Sequence, residues 1–153
     1  MGKGSYRTMS RIIAVNALGA LLLLMTGVLS PAAANGALAV GTTSNVVKDG
    51  VAFGTAINYQ TEAEARTAAL DNCKKFQGAP LAAAQCRLVG AFKGECYGIA
   101  MDPKPGTPGA GWAIAATKTI AEQRSMENCK ATAGKDRREF CEVAEAKCDV
   151  VKN

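Results

Sequence analysis

The sequence predicts an α+β domain in which two related strand–strand–helix–strand halves form an antiparallel sheet with two helices, stapled by disulfides. Three observations lead to this prediction. The chain repeats itself at an offset of 56 positions, for example at Cys73 and Cys129. Each half contains runs with the alternation of strands and one run with helical spacing. All six cysteines lie in the part that remains after a predicted export segment.

Residues 1–34 are expected to be a cleaved signal peptide. Three basic residues precede an apolar run from Ile12 to Val28, and the small residues Ala32 and Ala34 follow it. This order is typical of a secretory signal. The alternative is a membrane anchor, because the run approaches bilayer-spanning length, but no basic stop-transfer cluster follows. Cleavage would leave residues 35–153 as a single disulfide-rich domain, periplasmic or extracellular, with no stable membrane anchor.

The charge of the remaining domain argues against nucleic acid as a partner. The chain has a formal net charge of +5, but three of its 18 basic residues and none of its 13 acidic residues lie in the predicted signal. The domain therefore has 18 − 3 = 15 basic residues against 13 acidic ones, a net charge of +2. Its densest basic spot, Arg137-Arg138, is bracketed by Asp136 and Glu139, which is typical of a solvated loop.

The repeat divides the domain into halves of about residues 36–96 and 97–151. It superimposes Asn72-Cys73-Lys74 on residues 128–130, Thr61 on Thr117, and Gly78 on Gly134. Short apolar or alternating runs predict strands at 37–40, 51–59 and 87–92 in the first half, and at 98–101, 112–116 and 142–151 in the second. Residues 41–50 and 103–111 are rich in turn formers and are expected to be hairpin loops.

The ends of each predicted helix carry sequence signals. The pairs Thr61 with Glu64 and Thr119 with Glu122 have capping-box spacing, in which a hydroxyl and a carboxylate each accept from an unpaired N–H. Glycines at 78 and 134 are expected to close the helices in the left-handed conformation.

One face of each predicted helix is apolar but made mostly of small residues. In the first helix the predicted face comprises Ala65, Ala69, Cys73 and Phe76; in the second it comprises Ala121, Ser125 or Met126, and Cys129. Such helices can approach a sheet closely but bury little area, which favours covalent staples.

An even number of cysteines in a small exported domain indicates three disulfides. Six cysteines allow 15 pairings. The repeat makes Cys73, Cys86 and Cys96 the counterparts of Cys129, Cys141 and Cys148, which gives three pairs of equivalent cysteines. A symmetric pairing either joins every cysteine to its counterpart, or joins two of these pairs to each other in both halves and the third cysteine to its own counterpart. Among these we favour Cys73–Cys86, Cys129–Cys141 and Cys96–Cys148, with the last bond tying the two halves. In the chain-entropy model, closing a short loop with a disulfide stabilises the folded state by roughly 3 kcal/mol.

The order of these motifs resembles the DUF4189 family, a bacterial exported domain of unknown function. The resemblance rests on Gly-Ala-Leu-Ala-Val at 36–40, the Thr-Glu-Ala-Glu-Ala-Arg-Thr-Ala-Ala-Leu-Asp-Asn-Cys helix at 61–73, Cys-Arg-Leu-Val at 86–89, and a weaker second copy. It covers about Gly36 to Cys148. Phe53 stands where the family tends to show tryptophan. The resemblance implies secretion and supplies no catalytic residues.

The composition excludes several chemistries. The chain has no histidine, which removes Ser-His and Cys-His catalysis and histidine-ligated metals. The cysteines lack Cys-x-x-Cys spacing, so zinc is not expected. Glu62 and Glu64 fall in a helical first turn, where negative charge stabilises the helix, and are interpreted as structural. We expect no cofactor, no metal and no catalytic residue.

Recognition of a partner is the remaining expectation. Trp112, Tyr97 and Lys104 are the candidate binding residues, because aromatic side chains beside the stiff 103–111 loop can anchor a partner at small entropic cost. The alternative for Trp112 is core packing. We therefore expect a non-enzymatic extracytoplasmic binding module, with enzyme inhibition as one form, whose partner is a protein or envelope component. The alternative function is a carboxylate-based hydrolase acting on envelope material.

Overall fold

The computed structural model describes residues 35–149, in which two three-stranded sheets lie face to face between two helices. The first half comprises β1 (Asn35–Thr42), α1 (Val46–Asp49), β2 (Val51–Tyr59), α2 (Glu62–Lys74), α3 (Pro80–Ala83) and β3 (Arg87–Phe92). The second half comprises β4 (Cys96–Met101), β5 (Ala110–Ala115), α4 (Lys118–Thr132), a 3₁₀ helix (Lys135–Phe140) and β6 (Glu142–Cys148). The predicted α+β class and the strand–strand–helix–strand order are confirmed. The predicted signal peptide lies outside the described residues.

The strands divide into two antiparallel sheets, one for each half, where the sequence led us to expect one sheet. Their orders are β2-β1-β3 and β5-β4-β6, so the first strand of each half is central. Consecutive residues of β1 are buried on both faces, for example Ala37 and Leu38. A strand buried on both faces needs a layer above and below it. The helix of its own half covers one face, and the other sheet covers the second.

The large apolar side chains lie between the sheets. The buried members of this inter-sheet core are Leu38, Val40, Phe92, Tyr97 and Ile99. Half-buried Phe53 and Trp112 extend it, with their ring centroids 5.9 Å apart in an edge-to-face arrangement. This arrangement joins β2 of the first half to β5 of the second, so the halves share one core.

The outer layers are thinner, because α2 and α4 lie directly on glycines of the strands. A Cβ at Gly54 would overlap the backbone of α2, and one at Gly111 would overlap the backbone of α4. The buried helical residues are Ala65, Ala69 and Cys73 in α2 and Ala121, Ser125 and Cys129 in α4. The predicted faces are confirmed except at Phe76, which lies beyond the end of α2 and is exposed.

The two halves repeat one another in detail. The Asn72 side chain donates to the Thr55 carbonyl at 2.9 Å, and the Asn128 side chain donates to the Trp112 carbonyl at 2.8 Å. Each asparagine therefore binds the helix to a carbonyl of its second strand.

The helix ends partly agree with the sequence. The capping box of Thr61 with Glu64 is confirmed. The second box is wrong, because α4 begins after Thr117, whose hydroxyl accepts from the Ile120 N–H at 3.3 Å, and Thr119 lies inside the helix. The left-handed glycine ends are also wrong. Neither Gly78 nor Gly134 has a positive φ, because other residues end the helices before the chain reaches these glycines.

The three favoured disulfides, Cys73–Cys86, Cys129–Cys141 and Cys96–Cys148, are confirmed. The expectation that Cys96–Cys148 ties the two halves is wrong. Cys96 opens β4 and faces Cys148 on β6, so this bond lies within the second sheet. By strand register the first-half equivalent of Cys96 is Asn35. Cys96 and Cys148 are therefore partners in one half and not counterparts in two.

Candidate functional site

Tyr97 is a core residue in the structure. Its side chain is 1% exposed, lies near Phe92, and donates its hydroxyl to Thr55 Oγ1 at 3.3 Å. Burial raises the pKa of the Tyr97 phenol well above its ordinary value, because the charged form would be desolvated. The structure thus uses this side chain to hold β4 against β2, and leaves no surface of it for a partner.

Trp112 is half-buried on β5 and packs against Phe53, as the core-packing alternative expected. Lys104 is exposed in the loop between β4 and β5. The structure therefore separates the three candidate residues, since Tyr97 and half-buried Trp112 pack in the inter-sheet core while Lys104 is exposed on the loop.

The 103–111 loop forms one wall of a cleft of about 530 Å³. The opposite wall comes from the first half and consists of α1, α3 and the residues beside them. The cleft is lined by residues 46–51, Phe76, residues 78–81, residues 101–107, Gly109 and Ala110. Its volume falls within the range of ligand-binding clefts. Because each wall belongs to a different half, the cleft is a product of how the halves associate.

Apolar side chains in the first-half wall are unusually exposed for their size. Leu81 on α3 is 59% exposed, Val47 on α1 is 49% exposed, and Phe76 is 37% exposed. All three line the cleft. A concave cluster of large exposed apolar groups is a common feature of interaction sites.

Short local signals build the first-half wall. The Asn45 side chain accepts from the Lys48 N–H at 3.2 Å and begins α1, and Gly50 ends it with φ of 73°. The Thr43 hydroxyl donates to Asp49 Oδ2 at 2.7 Å and secures the same turn. In α3, Pro80 occupies the start of the helix, where its missing N–H costs nothing. These signals are present in the sequence, but the predicted hairpin loop at 41–50 did not include α1, and no helix was predicted at residues 80–83.

Asp102 braces the second-half wall. Its N–H donates to the Gly109 carbonyl at 2.9 Å, and its Oδ1 accepts from the Lys104 N–H at 3.0 Å. The Thr107 hydroxyl donates to the Lys104 carbonyl at 2.8 Å. These bonds cross the loop and hold its two ends and its tip in one conformation.

Arg137 completes the brace from the 3₁₀ helix. Its Nε donates to Asp102 Oδ2 at 2.7 Å and its Nη2 to Oδ1 at 2.6 Å, and its guanidinium stacks 4.0 Å from the Phe140 ring centroid. These hydrogen bonds lower the pKa of the Asp102 carboxyl from 3.8 to about 2. The expected loop is a 3₁₀ helix in the structure. Arg138 is exposed as expected, whereas Arg137 is half-buried because its guanidinium pairs with the buried Asp102 carboxylate.

Among the described residues, the acidic side chains of the cleft have hydrogen-bond partners, and its two lysine side chains do not. Asp49 and Asp102 both accept hydrogen bonds described above. Lys48 on α1 and Lys104 on the loop line the cleft, and within residues 35–149 neither ammonium group has an acceptor. The walls approach each other at Gly106, which has φ of 78°, because a Cβ at this position would lie 3.9 Å from the Val47 carbonyl oxygen. The cleft therefore presents two available cations beside an apolar wall.

Other candidate chemistries have structural roles. Glu64 accepts from the Thr61 N–H at 3.1 Å in the capping box, and Arg66 Nε donates to Glu62 Oε1 at 2.7 Å. In the described range 35–149, no group of three or more potential protein ligands has a geometry suited to a metal ion. In the same range, none of the helices combines the length and apolar character needed to cross a bilayer.

Comparison with known proteins identifies one protein family that matches this chain. A family model described as a domain of unknown function (DUF4189) matches residues 35–148. No curated protein matches the chain. No solved structure matches it either.

Proposed function

The chain belongs to the DUF4189 family, and from that premise we propose that its domain is a non-enzymatic binding module that works outside the cytoplasm. The observation that carries the proposal is the cleft between the two halves, with Leu81, Val47 and Phe76 exposed on one wall and the braced 103–111 loop on the other. The proposed partner is a protein or a component of the cell envelope.

The disulfides support the proposed location outside the cytoplasm. All six cysteines are paired, and disulfides of this kind form and persist in oxidising compartments such as the periplasm or the medium. The basic, apolar and small-residue order of residues 1–34 predicts export independently.

The state of the cleft carboxylates supports binding over acid–base catalysis. A carboxyl that serves as a general acid near neutral pH needs a raised pKa. Arg137 moves the pKa of Asp102 in the opposite direction, and the lone pairs of this carboxylate are occupied by the loop and the guanidinium. Asp102 is thereby suited to hold the loop in shape.

The rigidity of the walls supports the same function. The loop contains Pro103, Pro105 and Pro108 as well as the Asp102 hydrogen bonds, and Cys73–Cys86 links the end of α2 to the residue before β3. A site that is ordered before binding loses less conformational entropy when a partner arrives.

The test is to substitute the most exposed apolar residue of the cleft. Leu81→Asp places a charge at the first turn of α3, where the helix tolerates it, and should weaken partner retention from an extracytoplasmic fraction by at least about tenfold, or ~1.4 kcal/mol. Val89→Asp is the matched control, since Val89 is 45% exposed on β3 and does not line the cleft. Bound protein is quantified by mass spectrometry, and melting temperatures of both variants verify folding.

Two results would contradict the proposal. One is equal retention by wild type, Leu81→Asp and Val89→Asp. The other is turnover of an envelope polymer such as peptidoglycan by the purified domain.

A further inference from the structure

We propose that the cleft binds an extended protein segment in which a large apolar side chain is flanked by acidic ones. This inference rests on the proposed function and names its ligand. The positions of Lys48 and Lys104 carry it, one on each wall of the same apolar cleft.

The charge of the site selects an acidic ligand. Lys48 projects from α1 and Lys104 from the loop, and neither is neutralised by a group within residues 35–149. Arg137 compensates the charge of Asp102, whereas the Thr43 hydroxyl is neutral and leaves Asp49 charged. Three cations (Lys48, Lys104 and Arg137) against two carboxylates give the site a net charge of 3 − 2 = +1. A ligand with carboxylates at two places along its length would meet both ammonium groups, whereas a basic ligand would be repelled.

The apolar wall selects a side chain that protrudes from that ligand. Leu81, Val47 and Phe76 border a concave space, so a single apolar group that enters it buries surface on several sides. A bilayer is flat and would contact only the rim of such a cleft. A nucleic acid needs a track of cations to follow its phosphates. An extended segment presents apolar and charged side chains at separate points and satisfies both features.

The experiment is a selection from displayed random hexapeptides with the folded, oxidised domain. We expect enrichment of sequences with a large apolar residue between aspartates or glutamates. The double variant Lys48→Glu with Lys104→Glu should weaken binding of the selected peptides by at least about tenfold and enrich basic sequences instead. The double variant Lys93→Glu with Lys130→Glu changes the net charge equally away from the cleft and should bind like wild type.

Three results would overturn the inference. They are no enriched sequence, a consensus without acidic residues, and equal weakening in the two double variants. A fourth result would show a lipid ligand. The wild-type domain would bind phosphatidylglycerol vesicles or a fatty acid but no peptide, and the double variant Lys48→Glu with Lys104→Glu would lose this binding. In any of these cases the proposed function still stands if Leu81→Asp loses its captured partner, so the two failures are distinguishable.

Discussion

Asp102 shows how one side chain shapes the candidate site through the loop that it holds in place. Its carboxylate receives two hydrogen bonds from Arg137 and one from the Lys104 backbone, and its own N–H reaches across the loop to Gly109. The sequence shows Asp102 and Arg137 as separate members of two loops 35 positions apart. Their pairing is a property of the folded chain only.

The pairing predicts a characteristic acid response. The folded pKa of Asp102, about 2, lies below its ordinary 3.8, so the folded state favours the ionised form. This stabilisation is fully present above about pH 4, declines as the pH falls through the range between the two values, and is lost below pH 2. Asp102→Asn removes the charge at every pH, so its melting temperature should be lower than that of wild type at pH 7.

The measurement is thermal unfolding of both proteins between pH 7 and pH 2. The gap between wild type and Asp102→Asn should narrow as the pH falls below 4. Asp136→Asn, an exposed neighbour on the 3₁₀ helix, is the control and should follow wild type. A gap of constant size across this range would show that the carboxylate charge does not stabilise the loop.

At the scale of elements, the close approach of each helix to its sheet depends on glycines in the strands and small side chains on the helices. The buried faces of the helices consist of alanine, serine and cysteine, and these faces lie against Gly54 and Gly111 of the strands. Small faces of this kind bury little area per residue, but they allow short contacts between the layers. The sequence predicted these faces because small residues recur at helical spacing.

Gly111→Ala tests this packing. The added methyl would meet the α4 backbone at Ser125 and Cys129, so α4 must shift, and we expect a loss of roughly 1–3 kcal/mol in the free energy of unfolding. Gly134→Ala is the control, because its Cβ would meet open space and its φ of −58° suits alanine. Denaturant unfolding measures both. Equal stability of the two variants would show that α4 tolerates a larger separation from β5.

At the scale of the molecule, each of the three disulfides lies within one half, so noncovalent contacts hold the halves together. Asp149 follows β6 and is 3% exposed. Its Oδ1 accepts from the Asn58 N–H at 3.0 Å and its Oδ2 from the Gly94 N–H at 3.2 Å, while its own N–H donates to the Glu95 carbonyl at 2.9 Å. One carboxylate thus connects the end of β2, the turn between the sheets and the end of β6.

Asp149→Ala should therefore weaken the association of the halves. Each of the two hydrogen bonds to this charged group contributes roughly 1.5–3 kcal/mol, so their loss should lower the free energy of unfolding by at least about 1.5 kcal/mol. Asp71→Ala, on the exposed face of α2, should change it by less than about 0.5 kcal/mol. Chemical denaturation of the oxidised proteins gives both values. If the two substitutions have the same small effect, the inter-sheet core alone holds the halves together.

The sequence by itself determined the features that depend on neighbouring residues. Strand alternation, the Thr61 cap, the small-residue helical faces and the duplication are local or periodic patterns, and they led to the α+β class. The disulfide pairing was reached because the repeat restricted the choices, although Cys96 was assigned the wrong counterpart. A repeat in the sequence does not distinguish two cysteines in equivalent positions from two that face each other in one sheet.

The tertiary structure alone decided where the cleft lies and what surrounds it. Tyr97 and Trp112 were candidates for binding as aromatic residues beside a loop, but both lie on the face of the second sheet that the first sheet covers. The wall formed by Val47 and Leu81 comes from two short helices far from the 103–111 loop in sequence. The meeting of such distant segments depends on how whole layers pack, and that packing is set by all the side chains between them rather than by the residues that line the site.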